Sequence, residues 1–273
     1  MKLQVLICTK GMEGINRIAS LPHPQMKDVG YLVSWQEADM QRIPAALRSR
    51  TDFKIVPSNT LGLSKNRNNA LAFADADLVL ISDDDLLYTE KNLQEVIDNF
   101  YLFPDHTFLT FRFKSVDYPR SYPYYEFDMS APPKGYFTVS MELALNLGLM
   151  HRKRLNIPTF NENFGIGAPF GSGEEDILIK DLLRQGHKGR FIPVDVCEHP
   201  GPTTCVKNRN SDNFIQTKGA VMSYIKPFSW PLRMLLYARR ESQALDSDID
   251  FCSYVFNFLK GVRKARKLKV FGN

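Results

Sequence analysis

The sequence predicts an α/β fold, with a mainly parallel central sheet flanked by helices and a basic, helical C-terminal extension. Three observations predict it. Short, continuously apolar runs alternate with helix-like segments, the pattern of parallel strands buried on both faces. One of those runs, residues 78–81, leads through Ser82 into three consecutive acids, Asp83, Asp84 and Asp85. The last 23 of the 273 residues hold six bases and no acid.

The elements follow in order. Residues 3–8 form a first buried strand, closed by Thr9, Lys10 and Gly11. Residues 29–34 and 53–57 give a second and a third. Ser64 caps a helix whose apolar positions include Ala70, Leu71 and Phe73. Residues 78–81 are a fourth strand. Thr89 caps a helix in which Leu93, Val96, Ile97 and Phe100 fall at i, i+3, i+4 and i+7. Residues 108–113 alternate as a strand, residues 117–133 are a loop rich in Tyr and Pro, and residues 143–150 fit a strand or a helix. A loop dotted with Gly165, Gly167, Gly171 and Gly173 opens into a helix over residues 174–185, stopped by Gly186. Residues 191–196 form another strand, which ends at Glu198, His199 and Pro200. Beyond Val206 a helix near residues 232–237 and the basic tail stand out. No repeat or linker interrupts the chain, so residues 1–205 are expected to form the main domain and residues 206–273 the extension.

Charge and composition exclude several classes. The formal net charge is +5, yet the first 250 residues carry 29 bases and 30 acids, so the basicity belongs to the tail. A nucleic-acid-coating protein spreads excess positive charge over its body, and no nucleic-acid partner is expected. Hydrophobic content of 44% and charged content of 24% fit a globular chain and exclude dominant disorder. No apolar run approaches the ~20 residues of a membrane span. The short apolar start reads as a strand and not as a signal peptide. Cys8, Cys197, Cys205 and Cys252 lack C-x-x-C spacing and fit reduced thiols in a cytoplasmic protein.

Four constellations carry candidate chemistry. Asp83, Asp84 and Asp85 lie at the carboxyl end of a buried strand, where open α/β sheets bind ligands. Clustered carboxylates repel, and a hard divalent cation such as Mg²⁺ or Mn²⁺ relieves the repulsion while bridging a diphosphate. The competing explanation is a solvated acidic turn. Glu174, Glu175 and Asp176 open a helix. Ser172 and Glu175 are spaced as a capping box, which explains Glu175 without catalysis but leaves Asp176 as a candidate general base. Residues 61–68, with Gly62, Lys65 and Arg67, are a glycine turn opening a helix, suited to phosphates or to a plain surface helix. They are not a P-loop, since G-x-x-x-x-G-K-[ST] is absent. His199 follows a strand and precedes the rigid Pro200-Gly201-Pro202 turn, as a structural histidine or a metal ligand.

In order, these segments resemble family 2 glycosyltransferases of the GT-A fold, a Rossmann-like α/β architecture. The resemblance rests on GLSKNRN (residues 62–68), SDDD (82–85) and GEED (173–176), and most specifically on FNENFGIGAPFGSGEED (160–176). It implies an inverting transfer from a nucleotide-sugar donor, most commonly a UDP-sugar, to a saccharide or lipid-linked saccharide acceptor, with Mn²⁺ or Mg²⁺ as cofactor. By position it implies that Thr9, Ser34 and Gln36 line the nucleotide pocket, and that Gly62 and Arg67 approach the nucleotide or diphosphate. Asp83 would contact the ribose or the metal's water shell and Asp85 would bind the metal, beside which His199 stands as the candidate ligand that its place in the chain suggests. Gly173 and Glu175 would belong to the acceptor loop, and Asp176 would be the base. Ser82 stands where many members carry Asp, so Asp83 and Asp84 both remain candidates for the ribose-side acid.

Lys260, Arg263, Lys264, Arg266, Lys267 and Lys269, mixed with Tyr254, Phe256, Phe258 and Leu259, suit an anionic membrane surface, which would place the protein peripherally at the inner face. A solvated basic end is the alternative. Two other functions compete with glycosyl transfer. A sugar nucleotidyltransferase would want a G-G-x-G-T-R-like loop after the first strand, where Lys10-Gly11-Met12-Glu13-Gly14 stands. A glycan-binding module would not need both an acid triplet and a separate base.

Overall fold

The structure is a computed structural model that describes residues 1–115, 120–201, 211–243 and 249–271. Asp117, Pro202, Cys205, Val206 and the expected boundary between residues 205 and 206 lie outside the described residues. The strands are β1 (Leu3–Lys10), β2 (Val29–Gln36), β3 (Phe53–Ser58), β4 (Leu78–Asp83), β5 (Phe108–Lys114), β6 (Phe127–Asp128), β7 (Leu143–Asn146) and β8 (Gly189–Glu198). The helices are α1 (Gly11–Ser20), α2 (Ala45–Arg48), α3 (Leu63–Phe73), α4 (Glu90–Leu102), α5 (Leu147–Arg152), α6 (Glu174–Arg184), α7 (Asp212–Ile225), α8 (Trp230–Ser242) and α9 (Phe251–Lys267), with 3₁₀ turns at Met40–Arg42 and Ser140–Glu142. The chain divides into two compact units. The first comprises Met1–Leu61, Lys65–Thr159 and Asp181–Pro202; the second comprises Gly62–Ser64, Phe160–Lys180 and Thr203–Asn273.

The first unit is built on one sheet of order β3-β2-β1-β4-β7-β5-β8-β6. β3, β2, β1 and β4 run parallel, as the continuous apolar runs predict: every residue of β1 is buried except Lys10. β7 is antiparallel to both its neighbours, and β6 is antiparallel to β8, so the sheet is mixed beyond β4. Residues 143–150 resolve the strand-or-helix ambiguity as both. β7 ends at Asn146, whose side chain accepts from Leu149 N at 2.8 Å and starts α5. Thr89 caps α4 as predicted, in a reciprocal box with Asn92, and Leu93, Val96, Ile97 and Phe100 are its buried stripe. They join Val5, Ile7, Val33, Leu80 and Phe111 in the core.

Two predicted caps are corrected. α3 begins at Leu63, so Ser64 lies inside it; its hydroxyl donates to the Phe164 carbonyl at 2.5 Å instead of capping. α6 begins at Glu174, one residue late for a Ser172 cap, and Ile177 N bonds back to Gly173 O. Gly173 therefore occupies the capping position and offers only its backbone. α1 was not expected at all.

The second unit holds α7, α8 and α9. The basic tail is not a loose end: α9 buries Tyr254, Asn257, Phe258, Gly261, Val262 and Ala265, one helical stripe, against its neighbours. Two glycines permit the contact. A Cβ at Gly261 would lie 1.9 Å from Gln216 O of α7, and one at Gly219 of α7 would lie 2.2 Å from Phe258 O. Tyr254 and Phe258, expected among the aromatics that meet a membrane, are thus spent on packing, whereas Phe256 is exposed. Lys260, Arg263, Arg266, Lys267 and Lys269 are exposed and Lys264 is half-buried. Among the described residues, no helix is long and apolar enough to cross a membrane.

Candidate active site

The register of the parallel strands sets the site of the first unit. Cys8 of β1 stands level with Ser34 of β2 on one side and Asp83 of β4 on the other; β4 ends there, and β1 and β2 end together two residues further on, at Lys10 and Gln36. That shared carboxyl edge is where a doubly wound sheet offers backbone and side chains to a ligand. β4 runs out at Asp83, and the next two residues turn away from the sheet.

The three aspartates have separate surroundings. Both oxygens of Asp84 are engaged: Thr9 Oγ1 donates to Oδ2 at 2.5 Å and Arg17 Nη1 to Oδ1 at 2.7 Å. Burial pushes the Asp84 carboxyl above its ordinary range, against the pull of Thr9 and Arg17. Asp84 raises the Arg17 guanidinium in turn. Gly14 of α1 makes room for the pair, since a Cβ there would lie 1.9 Å from Thr9 Oγ1 and 2.7 Å from Asp84 Oδ2. Asp83 pairs with Arg67 at 3.1 Å. Asp85 lies beside His199, with Oδ2 3.6 Å from Nε2, and its Oδ1 is buried with no hydrogen-bond partner. The fold therefore turns the middle aspartate inward and leaves Asp83 and Asp85 as an alternating pair.

His199 is held from behind by the Gly201 backbone, its Nδ1 2.6 Å from the carbonyl oxygen and 3.1 Å from the amide nitrogen, which donates to it in the other tautomer. In the tautomer that donates to the carbonyl, Nε2 carries its lone pair toward Asp85. A buried carboxylate oxygen with no donor, next to such an imidazole, fits a divalent cation. Among the described residues no group of three His, Cys, Asp or Glu is arranged around one metal point. A bound ion would therefore draw its remaining ligands from substrate and water.

The other expected residues are tied into the sheet edge. The Ser34 hydroxyl donates to Asn66 Oδ1 at 2.6 Å and accepts from Asn69; Asn66 in turn donates to Thr9 O at 3.0 Å. Gln36 donates to Thr60 O. Arg67 is 1% exposed and also donates to Ser140 Oγ at 2.6 Å. Sequence reasoning missed Gly14, Arg17, Asn66 and Ser140. Asn66 lay inside a quoted motif and Gly14 inside the loop compared with the nucleotidyltransferase pattern; Arg17 and Ser140 act through a helix and a 3₁₀ turn that no sequence pattern announced. Burial raises the Cys8 thiol to about 12 and the Cys197 thiol well above its usual value, so neither is a thiolate nucleophile.

The second unit contains the remaining expected residues. Glu174, Glu175 and Asp176 form the first turn of α6, where the helix dipole favours carboxylates. Glu174 is buried, while Glu175 and Asp176 are half-buried. Gly173 has φ +92° and packs so closely on α7 that a Cβ would meet Val221 Cγ2 at 2.5 Å. Gly62 has φ +113°, and the adjoining Leu63 N donates to Ile166 O at 2.9 Å.

Residues 40–170 match the model described as Glycosyl transferase family 2. The match takes in residues 62–68 and 82–85 and stops short of Asp176 and His199. No curated protein matches the chain in sequence. Among solved structures, S. aureus TarS 1-349 in complex with UDP-GlcNAc is similar with a TM-score of 0.59 and 14% identity, over 98% of this chain and 92% of that one. S. aureus TarS 1-349 without a named ligand gives 0.57 and 15%, over the same shares. The mannosyltransferase PcManGT from Pyrobaculum calidifontis, in complex with GDP-Man and Mn²⁺, gives 0.51 and 13%, over 100% of this chain and 76% of that one. These likenesses establish a shared GT-A-like α/β fold.

Proposed function

From a chain whose residues 40–170 match the glycosyl transferase family 2 model, we infer a nucleotide-sugar-dependent enzyme that transfers a sugar to a hydroxyl of a glycan or lipid-linked saccharide. The observation that carries this reading is the division among three consecutive aspartates. Asp84 is consumed by Thr9 and Arg17, whereas Asp85 keeps a buried, unpartnered oxygen beside His199. A carboxylate oxygen buried without a donor favours a bound cation over a purely structural acidic turn.

Asp85 and His199 would hold Mn²⁺ or Mg²⁺, which when bound supplies the positive charge that a leaving diphosphate needs. Asp83 faces the ribose or the water shell. Arg67 is a positioning residue, since its guanidinium is buried on Asp83 and Ser140 and is not presented to a ligand. Thr9, Ser34 and Gln36 shape the nucleotide pocket, with their side-chain bonds fixing the strand ends. Gly62 serves the phosphate-side turn, and Gly173 and Glu175 serve the acceptor-side loop. Asp176 is the base: the acceptor oxygen attacks the anomeric carbon, its proton passes to the Asp176 carboxylate, and the bond to the diphosphate breaks, inverting the configuration. A UDP-sugar is the first donor to test, as in the TarS complex, and GDP-mannose the second. The five bases of α9, with Lys269 just beyond it, would meet an anionic membrane at its inner face.

Asp176→Asn tests the base. Donor binding, read by thermal shift, is expected to persist while transfer falls by roughly 10²–10⁴. Undiminished transfer would remove Asp176 from that role.

A further inference from the structure

Within the second unit, α8 presents to solvent a face built for burial. Leu232, Leu235 and Leu236 stand at i, i+3 and i+4, the spacing of a core-facing helix, yet they are 63%, 46% and 59% exposed. Phe228, in the turn before α8, is 98% exposed. The helix already has a core face on its other side, where Met234 and Ala238 pack with Ile215, Tyr254, Phe258 and Val262. The leucines therefore form a second apolar stripe. Isolated exposed leucines are ordinary, but a contiguous stripe marks an interaction surface.

The surrounding charge indicates what covers it. Lys226 precedes Phe228, and the exposed Arg239 and Arg240 follow the leucines. Residues 226–273 hold ten bases and four acids, whereas residues 1–225 hold 25 bases and 26 acids, so the whole net positive charge of the molecule lies in this part. A second copy of the chain would bring that excess against itself. Apolar side chains edged by Lys and Arg match the acyl boundary and phosphates of an anionic bilayer. At 13 residues, α8 is long enough to lie in that interface and too short to span it.

We propose that α8 is a membrane-inserting helix that buries Phe228, Leu232, Leu235 and Leu236 at the acyl boundary of an anionic bilayer, with Lys226, Arg239 and Arg240 at the phosphates. This goes beyond the electrostatic contact proposed for α9, which needs no insertion, and it stands whether or not the chain transfers a sugar.

The test uses the full chain, without donor, in flotation with phosphatidylcholine vesicles that contain or lack phosphatidylglycerol. Leu232→Asp/Leu236→Asp changes only exposed side chains, and Lys260→Glu/Arg263→Glu/Arg266→Glu changes only exposed bases of α9. Phe228→Trp reports insertion through quenching by bromine-labelled acyl chains. The proposal expects binding to anionic vesicles, a loss of about tenfold or more with the double aspartate variant, and quenching of Trp fluorescence in Phe228→Trp above the wild-type level. Undiminished binding of the aspartate variant with no added quenching, alongside loss in the α9 variant, would overturn insertion and leave the electrostatic contact standing. No binding by the wild type would overturn both. A dimer in sedimentation that the aspartate variant dissociates, with no vesicle binding, would assign the stripe to a second copy and overturn the proposal.

Discussion

Replacing Gly14 by Ala tests how tightly the aspartate cluster is built. The new Cβ would lie 1.9 Å from Thr9 Oγ1 and 2.7 Å from Asp84 Oδ2, where ordinary contact begins at 3.4 Å. Thr9 Oγ1 must retreat by about 1.5 Å, and the 2.5 Å bond to Asp84 cannot survive that movement. A hydrogen bond to a charged group contributes about 1.5–3 kcal/mol, and overpacking costs about 1–3 kcal/mol. Alanine returns roughly 1 kcal/mol through helix propensity. The net loss is about 1.5–5 kcal/mol, a fall in Tm of roughly 3–20 °C at about 2–4 °C per kcal/mol. Thermal unfolding by circular dichroism reads it, with Gly30→Ala as the control, since a Cβ there would meet Asp52 O at an ordinary 3.4 Å. A Gly14→Ala protein that melts with the control, or above the wild type, would refute the close approach of α1 to Thr9 and Asp84.

Asp83→Asn should cost about 1.5–3 kcal/mol in urea unfolding, because it removes a charged acceptor from a guanidinium whose side chain is only 2% exposed. Arg67→Met should cost more, because it also takes the 2.6 Å bond from Ser140 Oγ; the opposite ranking would contradict this. Arg50 binds Asp52 through two nitrogens, at 2.9 Å and 2.5 Å, and holds its carboxyl below the usual range. With the folded pKa depressed, the stabilisation is complete above the unfolded value of ~3.9 and is lost as pH falls through the folded one. Asp52→Asn should therefore melt below wild type at neutral pH, and the gap should close in acid; a constant gap would refute the linkage.

The parallel half of the sheet was legible because each strand is an unbroken apolar run, as in β1 and β4. α4 was legible because Thr89 caps it and its stripe is regular. α1 was not, because it starts at Lys10-Gly11 with no side-chain cap. The role of Asp84 follows from α1, so it was hidden as well: Gly14 and Arg17 look unremarkable until the helix lies against Thr9. β7 and β6, four and two residues long, are too short to show a period, and their antiparallel pairing is set by neighbours distant in sequence. The six bases were legible as a cluster. Their mounting on a packed helix depends on Gly219 and Gly261, whose approach to the facing backbones only the folded chain displays.

The most direct test of the central claim is turnover of a nucleotide-sugar panel, with UDP-GlcNAc and GDP-mannose included, by wild type and Asp85→Asn in Mn²⁺ and in chelator. The account predicts release of nucleoside diphosphate from at least one donor in Mn²⁺, abolished by chelator and by Asp85→Asn. Failure of every donor to bind in Mn²⁺, or undiminished turnover by Asp85→Asn, would contradict it.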